Sequence, residues 1–540
     1  MVGAGPVGLM LAIDLGRRGI RTLLIEKDPT TKQWPKMDRS NARTMEFFRR
    51  MGVADDVRSL GYPGDASMDV LMVTSLTEPP IAVLNYRTVD EHRAVIAEAR
   101  DGSEPLEPYQ LVSQNDLEPL LVCLAEKLAT VTVRFGAELT GFEQDDDGVD
   151  ARIGTADGHT ETVRASYIVG CDGGVSTVRK SLGIPLQGRG GIAEQLQITF
   201  RSPTLYDRIG IGKGRHYYFA DEHRAGLVVQ GSRREFTLNL RPRDDMDLQA
   251  EIASRIGPDI DFEIVNSRRW KLHLLLAERY RQARAFIAGD AAHLVIPSGG
   301  LGMNTGVGDA LDLAWKLAGT VQGWGGPGLL DSYEAERRKV GARNVDAAGW
   351  AAEGMFMWQG TWSPSIKDDT GDGARARAES AAASVHIRRV YGMLGVELGY
   401  SYAGSNLVAY EADNIVDWDT LVYTPHARPG VRLPHVWLSD GRAIQDVLDN
   451  GYVLLDLAGD ADTDQVAAAF AQRGAPLQVL HLDEPGAREV YGAPLLLLRP
   501  DMHVFWRGDR IVDPDGMASA ATGFVPAPFA VSAVPAVARS

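Results

Sequence analysis

The chain is predicted to be α/β. It has a Rossmann-like dinucleotide-binding domain, an inserted β-sheet and a second α/β unit towards the C-terminal end. Three observations predict this. A Gly3-Ala-Gly5-Pro-Val-Gly8 cluster is followed by a helical stretch, a strand and an acid. Residues 187–280 then shift to β-forming alternation. From residue 408 a fresh strand–helix–strand pattern begins. A chain of 540 residues is too long for one core and suits roughly two to four domains.

The glycine cluster comes first. After Gly8, residues 9–18 are helical in pattern and Gly19 suits a C-cap. Residues 20–25 read as a buried strand ending at Glu26, close to the ~20-residue spacing at which an acid holds a ribose hydroxyl. Two glycines let the backbone turn and approach a pyrophosphate; the third lets helix and strand pack closely. A second literal match, Gly323-Trp-Gly325-Gly-Pro-Gly328, follows a helical stretch, contains proline and precedes no strand–acid unit, so it reads as a loop. Only Met1 and Val2 precede Gly3, whereas the first strand of this fold runs about five or six residues. The expectation is a native start several residues upstream.

Two further elements follow. Residues 165–179 form a strand running into a turn that carries Asp172 and Arg179. Residues 284–293 form a strand ending in Gly289-Asp290-Ala-Ala-His293. Next come Pro297-Ser-Gly299-Gly300-Leu-Gly302-Met303-Asn304 and a helix. An acid after a strand can bond polyol hydroxyls, and a glycine-rich helix start faces N–H groups towards an anion.

Composition narrows the class. Apolar residues make up 44% and charged residues 24%, as in ordinary soluble domains. The net charge of −16 disfavours nucleic acid and anionic membrane, which need basic patches. Cys123 and Cys171 form no C-x-x-C, zinc pattern or disulfide framework, which points to a reducing cytoplasmic setting and no metal site. No apolar run reaches transmembrane length. The apolar start lacks a basic segment and is broken by Asp14, so it is not a signal peptide.

The three motifs, in this order, resemble the FAD-dependent aromatic hydroxylases, the single-component flavoprotein monooxygenases of the p-hydroxybenzoate and phenol hydroxylase type, over nearly the whole chain. The resemblance implies that Gly3, Gly5, Gly8, Glu26 and Lys27 hold the ADP half of FAD. It casts Arg43 as a pyrophosphate contact, Gln114 as a flavin contact and Asp290 as the ribityl partner. Pro297 would lie over the flavin ring, with Gly300, Gly302, Met303 and Asn304 along its pyrimidine edge through their backbone. Asp172 and Arg179 match a second fingerprint linked to FAD and the nicotinamide donor; a strand-end turn with a local ion pair is the other reading. Ile296 and Asp312 depart from the family pattern, where proline and asparagine are common.

The implied division is a FAD-binding domain over 1–75, 109–186 and 281–358, and a substrate-binding region over 76–108 and 187–280. A helical, mobile linker over 359–407 and a thioredoxin-like domain over 408–540 complete it. Residues 75–108 read as an irregular lid, and 362–383 as the most mobile stretch. Without C-x-x-C the C-terminal unit has no thiol chemistry, leaving a structural or homodimer-contact role.

The family chemistry is NADPH- or NADH-driven hydroxylation of a phenolic substrate by O2 through a flavin C4a-hydroperoxide. A phenol reacts better as phenolate, so a base is useful. Asp38, five residues before Arg43, is the candidate. Tyr217, with His216 and Tyr218, lies on a strand that could face the ring or pack in the sheet. His293 is a structural candidate. Baeyer–Villiger or epoxidising chemistry on a polyketide-like product, a flavin dehydrogenase and a non-catalytic flavin scaffold are the alternatives. A halogenase is disfavoured because no W-x-W-x-I-P occurs.

Overall fold

The computed structural model describes residues 1–33, 37–155, 158–409, 411, 421–459 and 461–525. Its central layer is a short parallel stack. Strand Thr22–Glu26 pairs with Val131–Phe135, and Ile168–Gly170 pairs with Ala285–Ile287. Val2 joins the two pairs by bridging Ile25 and Gly170 in parallel. Hydrogen bonds on both sides secure this place: Val2 N–H to Val169 O at 2.9 Å and Gly3 N–H to Ile25 O at 2.8 Å. Helices Pro6–Arg17 and Gln114–Glu126 pack on the layer, and Leu301–Gln322 packs in turn on Pro6–Arg17. Residues 323–326 connect Leu301–Gln322 to the long helix Pro327–Gln359, with Pro327 at its first position, so the second glycine match is a helix–helix turn.

The inserted sheet has seven strands, in the order Glu263–Lys271, Glu194–Arg201, Glu235–Leu240, Gly226–Val229, His216–Phe219, Val70–Val73 and Ala82–Leu84. This corrects the expected boundary at residue 75. Val70–Val73 pairs in parallel with His216–Phe219 and belongs to the substrate sheet, because its four buried apolar residues need cover on both faces. Residues 75–108 are also more ordered than expected. They include strand Ala82–Leu84 and helix Val89–Glu98, which opens with a capping box of Thr88 and Glu91.

The segment read as mobile is helical. Thr370 caps helix Gly371–Ala383, and Ile366 and Ala376 are buried beside Trp358. An alanine-rich run lowers the entropic cost of a helix that packs weakly amphipathic sides. The short helices Arg388–Tyr391 and Leu394–Leu398 follow.

The C-terminal unit has a sheet ordered Leu477–His481, Tyr452–Asp456, Leu495–Leu498, Val504–Gly508. Its first pair is parallel and crosses through helix Asp464–Gln472; the others are antiparallel, and helix Pro514–Ala521 closes the layer. The 408–540 span assigned to this unit includes 412–420 and 526–540, which lie outside the described residues. Among the described residues no helix is long and apolar enough to cross a membrane.

Candidate active site

Backbone crowding builds the first end of the site. Gly3 has φ +100°, and a Cβ there would lie 2.4 Å from the Cys171 carbonyl oxygen. A Cβ on Gly8 would lie 2.0 Å from the Gly3 carbonyl oxygen, so the helix approaches only because both are glycine. Gly5 sits at the N-cap of Pro6–Arg17, where no side chain caps the free N–H groups and a Cβ would have only Glu118 nearby, at 4.0 Å. The turn therefore opens its donors to a cavity.

Glu26 ends its strand beside this turn. Its Oε2 accepts from Ala4 N–H at 2.9 Å and its Oε1 from Asp28 N–H at 3.1 Å, with Lys27 at the rim of the cavity. Gln114 opens its helix and donates to Glu118 at 2.5 Å. Glu118 also accepts from the Lys32 N–H, and burial raises its pKa. Glu118 was not expected, though one helical turn from Gln114 it shares that face.

Asp172 closes the next strand. It accepts from Ser176 Oγ at 2.5 Å and Thr177 N–H at 2.7 Å, capping helix Thr177–Ser181 on the cavity wall. Arg179 does not join it in the cavity. The residue is only 6% exposed, and its guanidinium donates to the carbonyls of Ala291 and Gly174 and ties two turns together. Its direct hydrogen bonds go to these carbonyls rather than to a carboxylate, and burial lowers its pKa against the longer-range attraction of Asp172.

Asp290 and Pro297 line the same cavity, with Gly299 and Gly300 in left-handed backbone conformations. Gly300 begins Leu301–Gln322 at φ +65°, and a Cβ there would lie 2.7 Å from Arg39 Cδ. Gly302 and Met303 line the cavity at the first turn of that helix. The Asn304 side chain is turned away. It accepts from Asn41 N–H and Thr44 Oγ and donates to the Arg39 and Gly300 carbonyls, locking helix Ala42–Arg50 to the loop.

Arg43 departs from expectation. It is buried, donates to Glu46 at 3.0 Å and to the Asp501 carbonyl at 2.8 Å, and lies over the Phe47 ring. It sits on the side of its helix that packs against the C-terminal unit and does not line the cavity. Its guanidinium serves docking of that unit, so a pyrophosphate contact by Arg43 is corrected.

The other end of the cavity lies under the seven-stranded sheet. Strand alternation decides its lining: His216 and Tyr218 face the cavity, whereas Tyr217 and Phe219 face the sheet's own core. Tyr217 Oη donates to the Gly212 carbonyl and accepts from the Gly214 N–H at 2.8 Å. That engagement corrects Tyr217 as a catalytic candidate. Tyr218 and Tyr391 hydroxyls lie 2.8 Å apart, and Arg39 pairs with Glu397 at 2.9 Å. Tyr391 and Glu397 come from the 388–398 segment, whose sequence carried no motif to mark it. Asp38 lines the cavity and is ion-paired with the fully buried Arg215. His293 is fully buried and bonds Asp309 at 2.9 Å behind the cavity wall. Burial would raise the Asp309 pKa, but Arg337 and His293 hold it below its ordinary value.

The glycine turn, Glu26 and the Leu301 helix start lie along one cavity of about 1060 Å³ that continues beneath the sheet. Such an elongated cradle, with open N–H donors at one end and a roomy chamber at the other, fits FAD and defines a flavin-dependent oxidoreductase.

Comparison with known proteins agrees. Residues 1–348 match the FAD binding domain family, and residues 426–528 match the aromatic-ring hydroxylase C-terminal family. The FAD-dependent monooxygenase apdD of Emericella nidulans is 33% identical over 97% of this chain and 90% of its own. Aklavinone 12-hydroxylase RdmE of Streptomyces purpurascens is 33% identical over 94% and 95%. Among solved structures, RebC soaked with chromopyrrolic acid and holding 7-carboxy-K252c superposes with a TM-score of 0.87 at 34% identity, covering 97% and 98% of the two chains. Aklavinone-11 hydroxylase with FAD and aklavinone gives 0.82 at 29%, covering 96% and 98%. The chain belongs to the FAD-dependent aromatic-ring hydroxylase family and is a flavin-dependent monooxygenase.

Proposed function

We propose that this chain hydroxylates a polycyclic phenol of polyketide type, with NADPH or NADH as electron donor and O2 as oxidant. The observation that carries this reading is the single cavity joining the Gly3–Gly5 turn and Pro297–Met303 to the chamber under Tyr218 and Gln197. The hydroxylases of similar sequence that are named for aklavinone support the substrate class.

In this reading Gly3, Gly5, Gly8, Glu26 and Lys27 hold the ADP half, and Gln114, Asp172 and Asp290 hold the middle of FAD. Bound FAD would supply the redox chemistry, in which two electrons from the nicotinamide donor and O2 give one oxygen atom on the aromatic ring and the other in water. The N–H groups at Gly302 and Met303, with the helix dipole behind them, stabilise negative charge at the ring edge. Pro297 and the Tyr391 segment keep water from the reacting faces. Asp38, oriented by Arg215, takes the phenol proton. The 408–540 unit, thioredoxin-like and without C-x-x-C, serves as a structural or homodimer-contact domain.

The test is the purified flavoprotein with a panel of naphthols, anthraquinones and naphthacenequinones. NADPH and NADH oxidation is scored against product mass. Substrate-stimulated oxidation coupled to gain of one oxygen supports the reading; oxidation that no aromatic compound stimulates removes it.

A further inference from the structure

Four arginines line the cavity; Arg224 is exposed, and the three that are buried or half-buried have different partners. Arg39 is paired with Glu397 and Arg215 with Asp38. Arg268 has no such acid among the described residues. Its Nε donates to Gln197 Oε1 at 2.7 Å, and burial alone pushes its guanidinium below the ordinary value, with no carboxylate opposing the shift. A half-buried cation without a counter-charge is unfavourable unless a ligand supplies one.

Its placement fits that use. Arg268 lies on the edge strand Glu263–Lys271, directly across from Gln197, and Gln197 pairs in turn with Asn239. All three line the cavity. The strand period of two puts them in one row on the inner face, an amide-rich floor ending in a cation. Gln197 holds the guanidinium by Nε, which leaves the two terminal nitrogens as a planar fork, the geometry that matches a carboxylate.

We propose that Arg268 binds an anionic substituent, a carboxylate on the polycyclic aromatic substrate, and so makes this chain selective for aromatic acids over their neutral esters. This rests on the proposed hydroxylase reading for the identity of the cavity's occupant.

The phosphate of NADPH is the other anion of the same chemistry, and the test separates the two. Binding of anthraquinone-2-carboxylate and of its methyl ester is measured by quenching of flavin fluorescence in the holoenzyme, for wild type, Arg268→Gln and Arg268→Lys. FAD content and melting temperature report folding. The acid binds wild type about tenfold or more tightly than the ester, and Arg268→Gln erases that ratio by weakening the acid alone. Arg268→Lys, which keeps the charge but loses the fork, falls between.

An unchanged acid-to-ester ratio in Arg268→Gln overturns the proposal, as does a wild type that prefers the ester. A change confined to the KM for NADPH, with NADH and the acid unaffected, assigns Arg268 to the donor and also overturns it. Because the readout is binding, failure of hydroxylation removes the proposed reaction without deciding the role of Arg268.

Discussion

Arg499 Nη1 lies 2.6 Å from Glu336 Oε1, with both side chains buried. The pair joins the C-terminal unit to the long helix Pro327–Gln359. Lys316, Asp312 and Asp501 complete the cluster: Lys316 bonds Asp312 and Glu336, and Arg499 also bonds Asp312 and Asp501. Charges this deep are tolerable only as a mutually paired set.

The cluster makes stability depend on pH. Burial, reinforced by Glu336 and Asp501 against Lys316 and Arg499, pushes the Asp312 carboxyl from 3.8 up to about 7. The folded chain then holds a proton that the unfolded chain has released across this window. The contribution of Asp312 is fully present below pH 3.8 and is lost as pH rises through 7. Glu336, which Arg499 and Lys316 hold down to about 2 against burial, works in the opposite sense and matters only in acid. Asp312→Asn should flatten the fall in stability between about pH 4 and 7, where one proton contributes at most ~1.4 kcal/mol per pH unit. Urea midpoints of both proteins across that range check this; parallel profiles count against it.

Arg43 is expected to act in docking rather than in cofactor binding. Arg43→Met removes its bonds to Glu46 and the Asp501 carbonyl, which should cost about 1–3 kcal/mol. FAD content should stay at the wild-type level. Loss of flavin from a variant of normal melting temperature would restore the pyrophosphate role.

Asp38 and Tyr217 make a paired test. Asp38→Asn should slow hydroxylation about 100-fold or more while leaving flavin reduction close to wild type. Tyr217→Phe should cost about 1–3 kcal/mol of stability through its lost bonds to the Gly212 carbonyl and the Gly214 N–H. Stopped-flow of the two half-reactions, with a melting curve, separates them. Equal slowing of both half-reactions in Asp38→Asn would remove its role as base.

Asp290→Ala should purify with less FAD than wild type, and Gly3→Ala with almost none. At Gly3 the added methyl meets the Cys171 carbonyl and the backbone is left-handed. The ratio of flavin to protein absorbance reads both. A fully yellow Asp290→Ala protein would withdraw the ribityl assignment.

Much of the cofactor end was legible in the primary structure. Tight turns and close backbone approach restrict residue types at fixed local spacing, so the turn at Gly3 and Gly8, the strand end at Glu26 and the helix start at Gly300 could be read where they stand. The strands at 196–200, 216–220, 226–230 and 236–240 showed in their alternation. The boundary at residue 75 failed because Val70–Val73 is an apolar run whose partner, His216–Phe219, lies far along the chain. Helix Gly371–Ala383 lies within the span expected to be helical, but its Thr370 cap and alanine content give regular structure where the polar composition of 362–383 suggested mobility.

By itself, then, the sequence determined the α/β class, the flavin cradle and the family, since these depend on short-range backbone geometry and motif order. Tertiary structure alone decided that His216 and Tyr218, not Tyr217, face the chamber, that Arg43 turns to the C-terminal unit, and that Tyr391 closes over the sheet. The physical reason is the same in each case. A side chain's face and partner are set by what packs against its element, and those neighbours come from segments far away in sequence.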